Sequence, residues 1–481
     1  MKLLATFITL IAFAATLTVI AADATTTFAP SKVIPDGVYD ISRTIIIPRQ
    51  RKLSRESNKA ETGVPAPYMA KQVSQPGGWL RGENQFGTVL RFAPTVKGAL
   101  IQTEDYGTSR PGAYWNDGNT QSDTNLRANL SAMASDFTVD GRAEIRPYPW
   151  SRPEWAAKPD LNGPDCPQRA NGLSVQGSGF RGERLRFFQI PGTAILLKPG
   201  RGKHGGTFGI YDNLSNELND IWVSQAINGI VVEAADTKLR AIYMTGIVRD
   251  GLTISGPGSV VDGDHVYGAD RSVVITQEAE FHAAYHEAAR IGTHIISTAT
   301  GTRIDGLNIG PGTCWERGVK LEAHGCTIKG LHGTVMAESA EHPDIAGVEI
   351  APGLVHEAVD GALSINGDGS EGLILRGHRN KVELKGGWNK PTKATFIRVA
   401  EAITATTIEV RGSGNEGTVL DLSKTGLDKV DGLGNEFKIR WSGTAERVIY
   451  PGGGAKYNLA PGTQLWIDGK LQSADRPNPP K

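Results

Sequence analysis

The chain has 481 residues, with 51 Lys and Arg against 51 Asp and Glu, a formal charge of zero. This balance lacks the basic excess that draws a protein to nucleic acid or to an anionic membrane, so neither is expected as a partner. Glycine accounts for 59 of 481 residues, against about 7% in ordinary proteins, and with abundant Val, Ile and Thr this favours short strands and tight turns over helices.

Residues 1–24 read as a targeting signal. Lys2 supplies the charge, Leu3 to Ile20 is apolar apart from threonines, and Ala22-Asp23-Ala24 fits a small-residue cleavage site. An exported protein is expected, secreted or periplasmic or at the cell surface, with no integral membrane domain once the signal is cut. An uncleaved anchor is the alternative. Cys166, Cys314 and Cys326 make neither a disulfide framework nor a zinc spacing. Cys314 and Cys326 either pair or remain buried thiols.

The first strands follow. Gly37-Val38-Tyr39-Asp40-Ile41-Ser42 leads into Thr44-Ile45-Ile46-Ile47-Pro48, and Leu80-Arg81-Gly82 leads into Gly87-Thr88-Val89-Leu90. Residues 49–78, polar and basic with Gly and Pro, form a surface excursion. In the pattern G-x-Y-x-I-S-x-T-I-x-I-P followed by L-x-G-x-x-x-x-G-T-x-L, the chain resembles the pectate-lyase-like superfamily. The resemblance covers about residues 33–385. It implies an all-β fold, a right-handed single-stranded parallel β-helix, acting on carbohydrate polymers. The family often begins with an Asp-rich segment and a capping helix; here about ten residues separate the cleavage site from Gly37, so a smaller N-terminal cap is implied.

Residues 104–168 interrupt the pattern, apart from one strand candidate at Asp136-Phe137-Thr138-Val139-Asp140-Gly141. Prolines at 147, 149, 153, 159, 164 and 167 exclude a helix over that part. Long loops folded over one face are expected. Arg146, Trp150, Arg152 and Trp155 suit a sugar site, because flat rings stack on pyranose faces and guanidinium forks pair with carboxylates or sulfates. The alternative is a loop that packs itself onto the coil through Trp and Pro.

From Gly172 to about Gly377 the chain reads as stacked near-repeats. Triplets centred on residues 222, 243, 265, 282, 305 and 327 step by 21, 22, 17, 23 and 22 residues, the spacing of a solenoid. Their centres, Trp222, Tyr243, His265, His282, Asp305 and Thr327, are predicted to form one outward column. Parallel strands stack about 4.8 Å apart, so His265, His282 and Asp305 would span about 10 Å. Such a set offers an acid and a base near working pH. The plain alternative is a solvated polar ladder. A second alternative makes Thr276 to Arg290 a helix, with His282 and His286 one turn apart.

Asp262 and Asp264, two apart on a strand, are expected on one face. The resemblance implies aspartates on neighbouring rungs in the superfamily's hydrolases. The chain lacks the Asn-Thr-Asp, Asp-Asp and Arg-Ile-Lys elements of polygalacturonases, and no calcium-dependent lyase signature stands out beyond the short Ile145-Arg146-Pro147. Calcium, any other metal and any cofactor stay open. Two chemistries therefore stand on a polysaccharide. In β-elimination of a uronic-acid polymer, His282 or Tyr285 is the base and Arg303 or Arg290 neutralises the carboxylate. In glycoside hydrolysis, Asp262, Asp264 or Asp305 serve as acid and base. Trp222, Tyr243 and Tyr267 are expected to bind substrate in either case. A non-catalytic binding or adhesion rod is the third reading.

After Lys385 the spacing loosens. Residues 386–470 are expected to form a C-terminal β cap or appendage, and 471–481, ending in Pro477-Asn478-Pro479-Pro480-Lys481, a disordered tail.

Overall fold

The computed structural model describes residues 33–47, 78–103, 106, 132–143, 170–177, 179–199, 216–310 and 314–336, and beyond these the strands out to Ser473 with a few residues beside them. The expected signal segment, Arg146, Trp150, Arg152, Trp155 and Cys166 lie outside the described residues. Among the described residues there is no helix, and 29 strands join in one sheet.

The strands coil. Residues 181–188 pair in parallel with 217–224, these with 238–245, these with 260–267, and these with 280–287. The second column repeats the arrangement through 226–232, 250–254, 271–275 and 289–295. Each strand therefore lies on its counterpart one coil earlier, which satisfies backbone groups along the whole stack. The pairing crosses the boundary expected at Lys385: Lys381–Trp388 lies between Ala358–Asn366 and Thr407–Ser413. It ends with an antiparallel pair, Gln464–Ile467 against Lys470–Ser473, so ordered strand extends past residue 470.

Each central coil bends at two left-handed residues five positions apart. The pairs are Arg184 and Gln189, Asp220 and Gln225, Ala241 and Gly246, Gly263 and Gly268, and Ala283 and Ala288. Between them runs a four-residue stretch. Its first and third residues point inward: Leu185 and Phe187, Ile221 and Val223, Ile242 and Met244 are all buried. Its second and fourth point out. The inward rows stack into one continuous apolar core, where each Leu, Ile or Phe contributes about 1.5–3 kcal/mol of burial. At Gly263 (φ 73°) no atom lies within 4 Å of where a Cβ would stand, so glycine serves the backbone conformation there rather than the packing.

The region 276–290 is strand, not helix: Ala279–Ile295 is a single strand pairing with coils on both sides. Cys314 and Cys326 are both free and buried. Burial pushes both thiols up to about 12, so they are inert at neutral pH.

Candidate functional site

The second position of successive four-residue stretches, which points outward, carries Arg186, Trp222, Tyr243, His265 and Tyr285, in strict register. The row continues as Asn308 and His332. Stacking at rung spacing turns its rings into a ladder. Trp222 meets Tyr243 edge to face at 5.1 Å, Tyr243 meets His265 at 5.0 Å, and His265 meets Tyr285 at 4.6 Å. At the upper end Phe86 meets Trp222 at 6.2 Å. Phe86 is 55% exposed and Trp222 37%, so the ladder presents apolar ring surface to solvent.

The fourth position supplies a carboxylate beside the ladder. Glu287 accepts from His265 Nε2 at 3.0 Å and from the Tyr285 hydroxyl at 3.2 Å. Its side chain is only 16% exposed. A carboxylate that accepts from Nε2 fixes the tautomer of His265, leaving Nδ1 as the ring's acceptor. Tyr243, Tyr267 and Tyr285 all have raised pKa values, first through burial and then through the Glu287 charge, so each phenol keeps its proton at neutral pH. Tyr285 thus stands as a neutral phenol that donates to Glu287.

The predicted column is correct through Trp222, Tyr243 and His265 and wrong beyond. His265 lies on Tyr285; His282 lies on Asp262, and Asp305 on His282. Thr327 lies on Arg303, in a third row. Each coil carries two similar apolar-polar-apolar triplets, one on each side of the left-handed bend. The sequence pattern follows the later triplet at 222, 243 and 265 and slips to the earlier one at 282 and 305. Arg240, Asp262, His282, Asp305 and Lys329 thus form a separate exposed row across the bend.

Asp264 also departs from expectation. The bend at Gly263 resets the alternation, so Asp262 is exposed while Asp264 is buried in the core. It cannot reach a polymer outside the coil. Neither arginine expected to neutralise a substrate carboxylate stands in the ladder. Arg303 is exposed and lies 3.7 Å from Glu280. Arg290 is held by both oxygens of Asp270 (2.9 and 3.2 Å) and by Glu316 at 2.6 Å; the Asp270 hydrogen bond leads the causes that push its pKa up, so its charge is already compensated. Tyr267 occupies the position one coil above Glu287, beside the ladder.

Glu287, Arg186 and Phe86 are the members that sequence reasoning left out of the site. Extending the column one coil upward from Trp222 reaches Arg186, and counting two residues on from Tyr285 reaches Glu287. Among the described residues no group of three His, Cys, Asp or Glu side chains is placed to hold a metal ion.

No family model matches the sequence, and no curated protein does. Among solved structures the chain is similar to a mutant tailspike protein of E. coli bacteriophage HK620 in complex with a hexasaccharide, at 10% identity and a TM-score of 0.41, covering 88% of this chain and 73% of that one. It is also similar to the catalytic domain of a GH87 alpha-1,3-glucanase in complex with nigerose, at 9% identity and a TM-score of 0.32, covering 94% of this chain and 68% of that one. Likenesses this distant carry nothing about activity, and the fold rests on the strand pairings above.

Proposed function

We propose that the chain is an exported polysaccharide-active protein that lays a glycan along the ring ladder and cleaves it beside Glu287. The coil is taken as a right-handed parallel β-helix of the pectate-lyase-like kind, since crossovers between parallel strands are right-handed in nearly all proteins. A C-terminal cap within residues 386–470 would close the far end of the coil, and Arg146, Trp150, Arg152 and Trp155, outside the described residues, are proposed as further contacts to the same ligand. The observation that carries the reading is the run of Trp222, Tyr243, His265 and Tyr285 rings ending at a carboxylate bonded to the last two. Rings at rung spacing offer a row of platforms for pyranose faces.

β-Elimination on a uronic-acid polymer suits this face best. His265 Nδ1 takes the proton from the carbon next to the uronate carboxylate. That electron pair forms the new C=C bond as the glycosidic C–O bond breaks. The leaving oxygen takes a proton from Tyr285 or Tyr267, both kept as phenols. Hydrolysis is the second reading, favoured by one observation. Asp262 and Asp305 stand two rungs apart in the exposed row, about 9.6 Å, close to the carboxylate spacing of inverting glycosidases. A purely binding role for the ladder is the third.

Products separate the three. Elimination leaves an unsaturated sugar that absorbs in the near ultraviolet; hydrolysis yields reducing ends without that band. Wild type and Glu287→Gln are compared on a panel of uronate-containing and neutral polysaccharides. The reading expects an ultraviolet product from wild type and at least about a hundredfold less from Glu287→Gln. Reducing ends without absorbance, lost in Asp262→Asn rather than in Glu287→Gln, would move the chemistry to the exposed row. Binding without either product would leave the rod.

A further inference from the structure

Arg186 heads the ring row, one coil above Trp222 and three above His265, about 14 Å from it along the stack. Its guanidinium carbon sits 5.6 Å from the Phe86 ring centroid, 5.7 Å from Phe188 and 5.5 Å from Trp222. Three rings hold the cation by cation–π attraction and take water from it. Its Nε is buried with no hydrogen-bond partner, and among the described residues no carboxylate pairs with it. Burial lowers its pKa, with no opposing charge to restore it. Several partly buried arginines among the described residues have a carboxylate at hand: Arg317 and Arg376 share Glu349, Arg398 has Glu371 and Arg271 has Asp250.

A second orphan donor lies at the same end. Gln85 Nε2 is also buried without a partner. Gln85 precedes Phe86, and its carbonyl accepts from the Thr138 hydroxyl at 2.6 Å. Thr138 is the residue on which Arg186 stacks. Arg186 and Gln85 thus each carry a buried donor that no described residue accepts, one of them charged, at the end of the row where the Phe86 and Trp222 rings are exposed. A buried donor left unmatched costs about 1–3 kcal/mol, more when charged, and a ligand oxygen removes that cost.

We propose that Arg186, framed by Phe86, Phe188 and Trp222 and assisted by Gln85, binds an anionic substituent of the glycan, a carboxylate or a sulfate, remote from the reacting bond. The proposal rests on the glycan reading of the ladder and adds that the ligand is charged and is held at this end. Because Arg186 lies three rungs from His265, it selects and anchors the chain instead of stabilising the reacting sugar. Losing it should weaken binding of charged polymer far more than it slows turnover of polymer already bound.

The test measures binding of the full-length protein to four polymers: polygalacturonate, the same polymer with its carboxylates reduced to alcohols, dextran sulfate and dextran. Wild type should prefer a charged polymer to its neutral counterpart by about tenfold or more. Preference within the first pair identifies a carboxylate, within the second a sulfate. Arg186→Gln should abolish the preference, bringing binding of the charged form down to that of the neutral one, and Arg186→Lys, which keeps the charge, should retain part of it. An undiminished preference in a folded Arg186→Gln protein would overturn the anion site, and so would equal binding of charged and neutral polymers by wild type. If wild type binds no polymer at all, or if Trp222→Ala binds every polymer as wild type does, the glycan reading itself falls.

Discussion

His286 Nε2 donates to Asp264 Oδ2 across 2.8 Å inside the apolar core, and both side chains are 0% exposed. His286 Nδ1 lies 2.7 Å from the hydroxyl of Thr293, itself buried, so the ring is bonded at both nitrogens. The neighbour in register is Ile242 for Asp264, and Val266 and Ile309 for His286. Asp264 and Ala284 both occupy the first inward position of their stretches. The second carboxylate oxygen, Oδ1, has no partner among the described residues.

A buried pair of this kind is costly to split and cheap to replace whole. His286→Ala strands a buried carboxylate and should cost about 3–5 kcal/mol in urea-induced unfolding. Asp264→Ala combined with His286→Leu removes both polar groups and should cost clearly less than His286→Ala alone. A loss below about 1 kcal/mol for His286→Ala would show that the contact does not hold the coil together.

The coil was legible because every central rung repeats a short strand of Val, Ile and Leu at a period in the low twenties, and core burial demands that repetition. The ladder was legible down to His265 for the same reason. Asp262-Gly263-Asp264 signals its bend with glycine, while His282-Ala283-Ala284 makes the same bend at alanine, φ 53°. The bend falls at alanine in Ala241 and Ala283 and at glycine in Gly263 and Gly306, so the residue there does not mark it, and Phe281-His282-Ala283 looks like a rung centre although it lies before the bend. Asp264 misled in the opposite way, since a carboxylate at an inward position breaks the alternation that identifies the core. Glu287 and Arg186 gain their meaning from partners on other coils, at sequence distances of 22 residues for His265 with Glu287 and 36 for Arg186 with Trp222.

Ala283 therefore carries strain that glycine would relieve. A left-handed alanine costs about 1–2 kcal/mol, against about 0.5–1 kcal/mol of extra chain entropy for glycine. Ala283→Gly should leave stability unchanged or raise it by up to about 1 kcal/mol, read as a higher melting temperature. Ala283→Val adds a β-branched side chain in the same conformation and should lower it. A marked loss for the glycine variant would mean that the residue's methyl, not its backbone, matters at the bend.

His294 predicts a pH dependence of stability. Burial disfavours its charged form more than Glu322, 3.0 Å from Nε2, favours it, so its pKa falls below the ordinary value near 6.5. As pH drops through 6.5 the unfolded chain takes up this proton first, and the folded state loses stability until the folded pKa is reached. Glu322 is shifted down as well: burial opposes the shift, but the Lys320 and His294 contacts outweigh it. Its contribution is present above its ordinary value near 4.5 and is lost in more acid solution. The melting temperature should decline between pH 7 and 5, and His294→Gln should flatten that decline. An unchanged slope in His294→Gln would assign the effect to other histidines.

The register of the outer rows separates two histidines that look alike in sequence. His265 is tied to Glu287 and flanked by Tyr243 and Tyr285, whereas His282 is exposed between Asp262 and Asp305 on the far side of the bend. If the ladder is the reacting face, His265→Ala should lower turnover by about a hundredfold or more, the usual weight of a general base. His282→Ala, a surface change, should stay within about 0.5 kcal/mol in stability and show little change in turnover. Tyr285→Phe provides the intermediate case. It removes one donor to Glu287 while keeping the ring in the ladder, so it should reduce turnover but leave polymer binding close to wild type. The reverse ranking, with His282→Ala inactive and His265→Ala unaffected, would place the chemistry on the exposed row and leave the ring ladder as a binding surface alone.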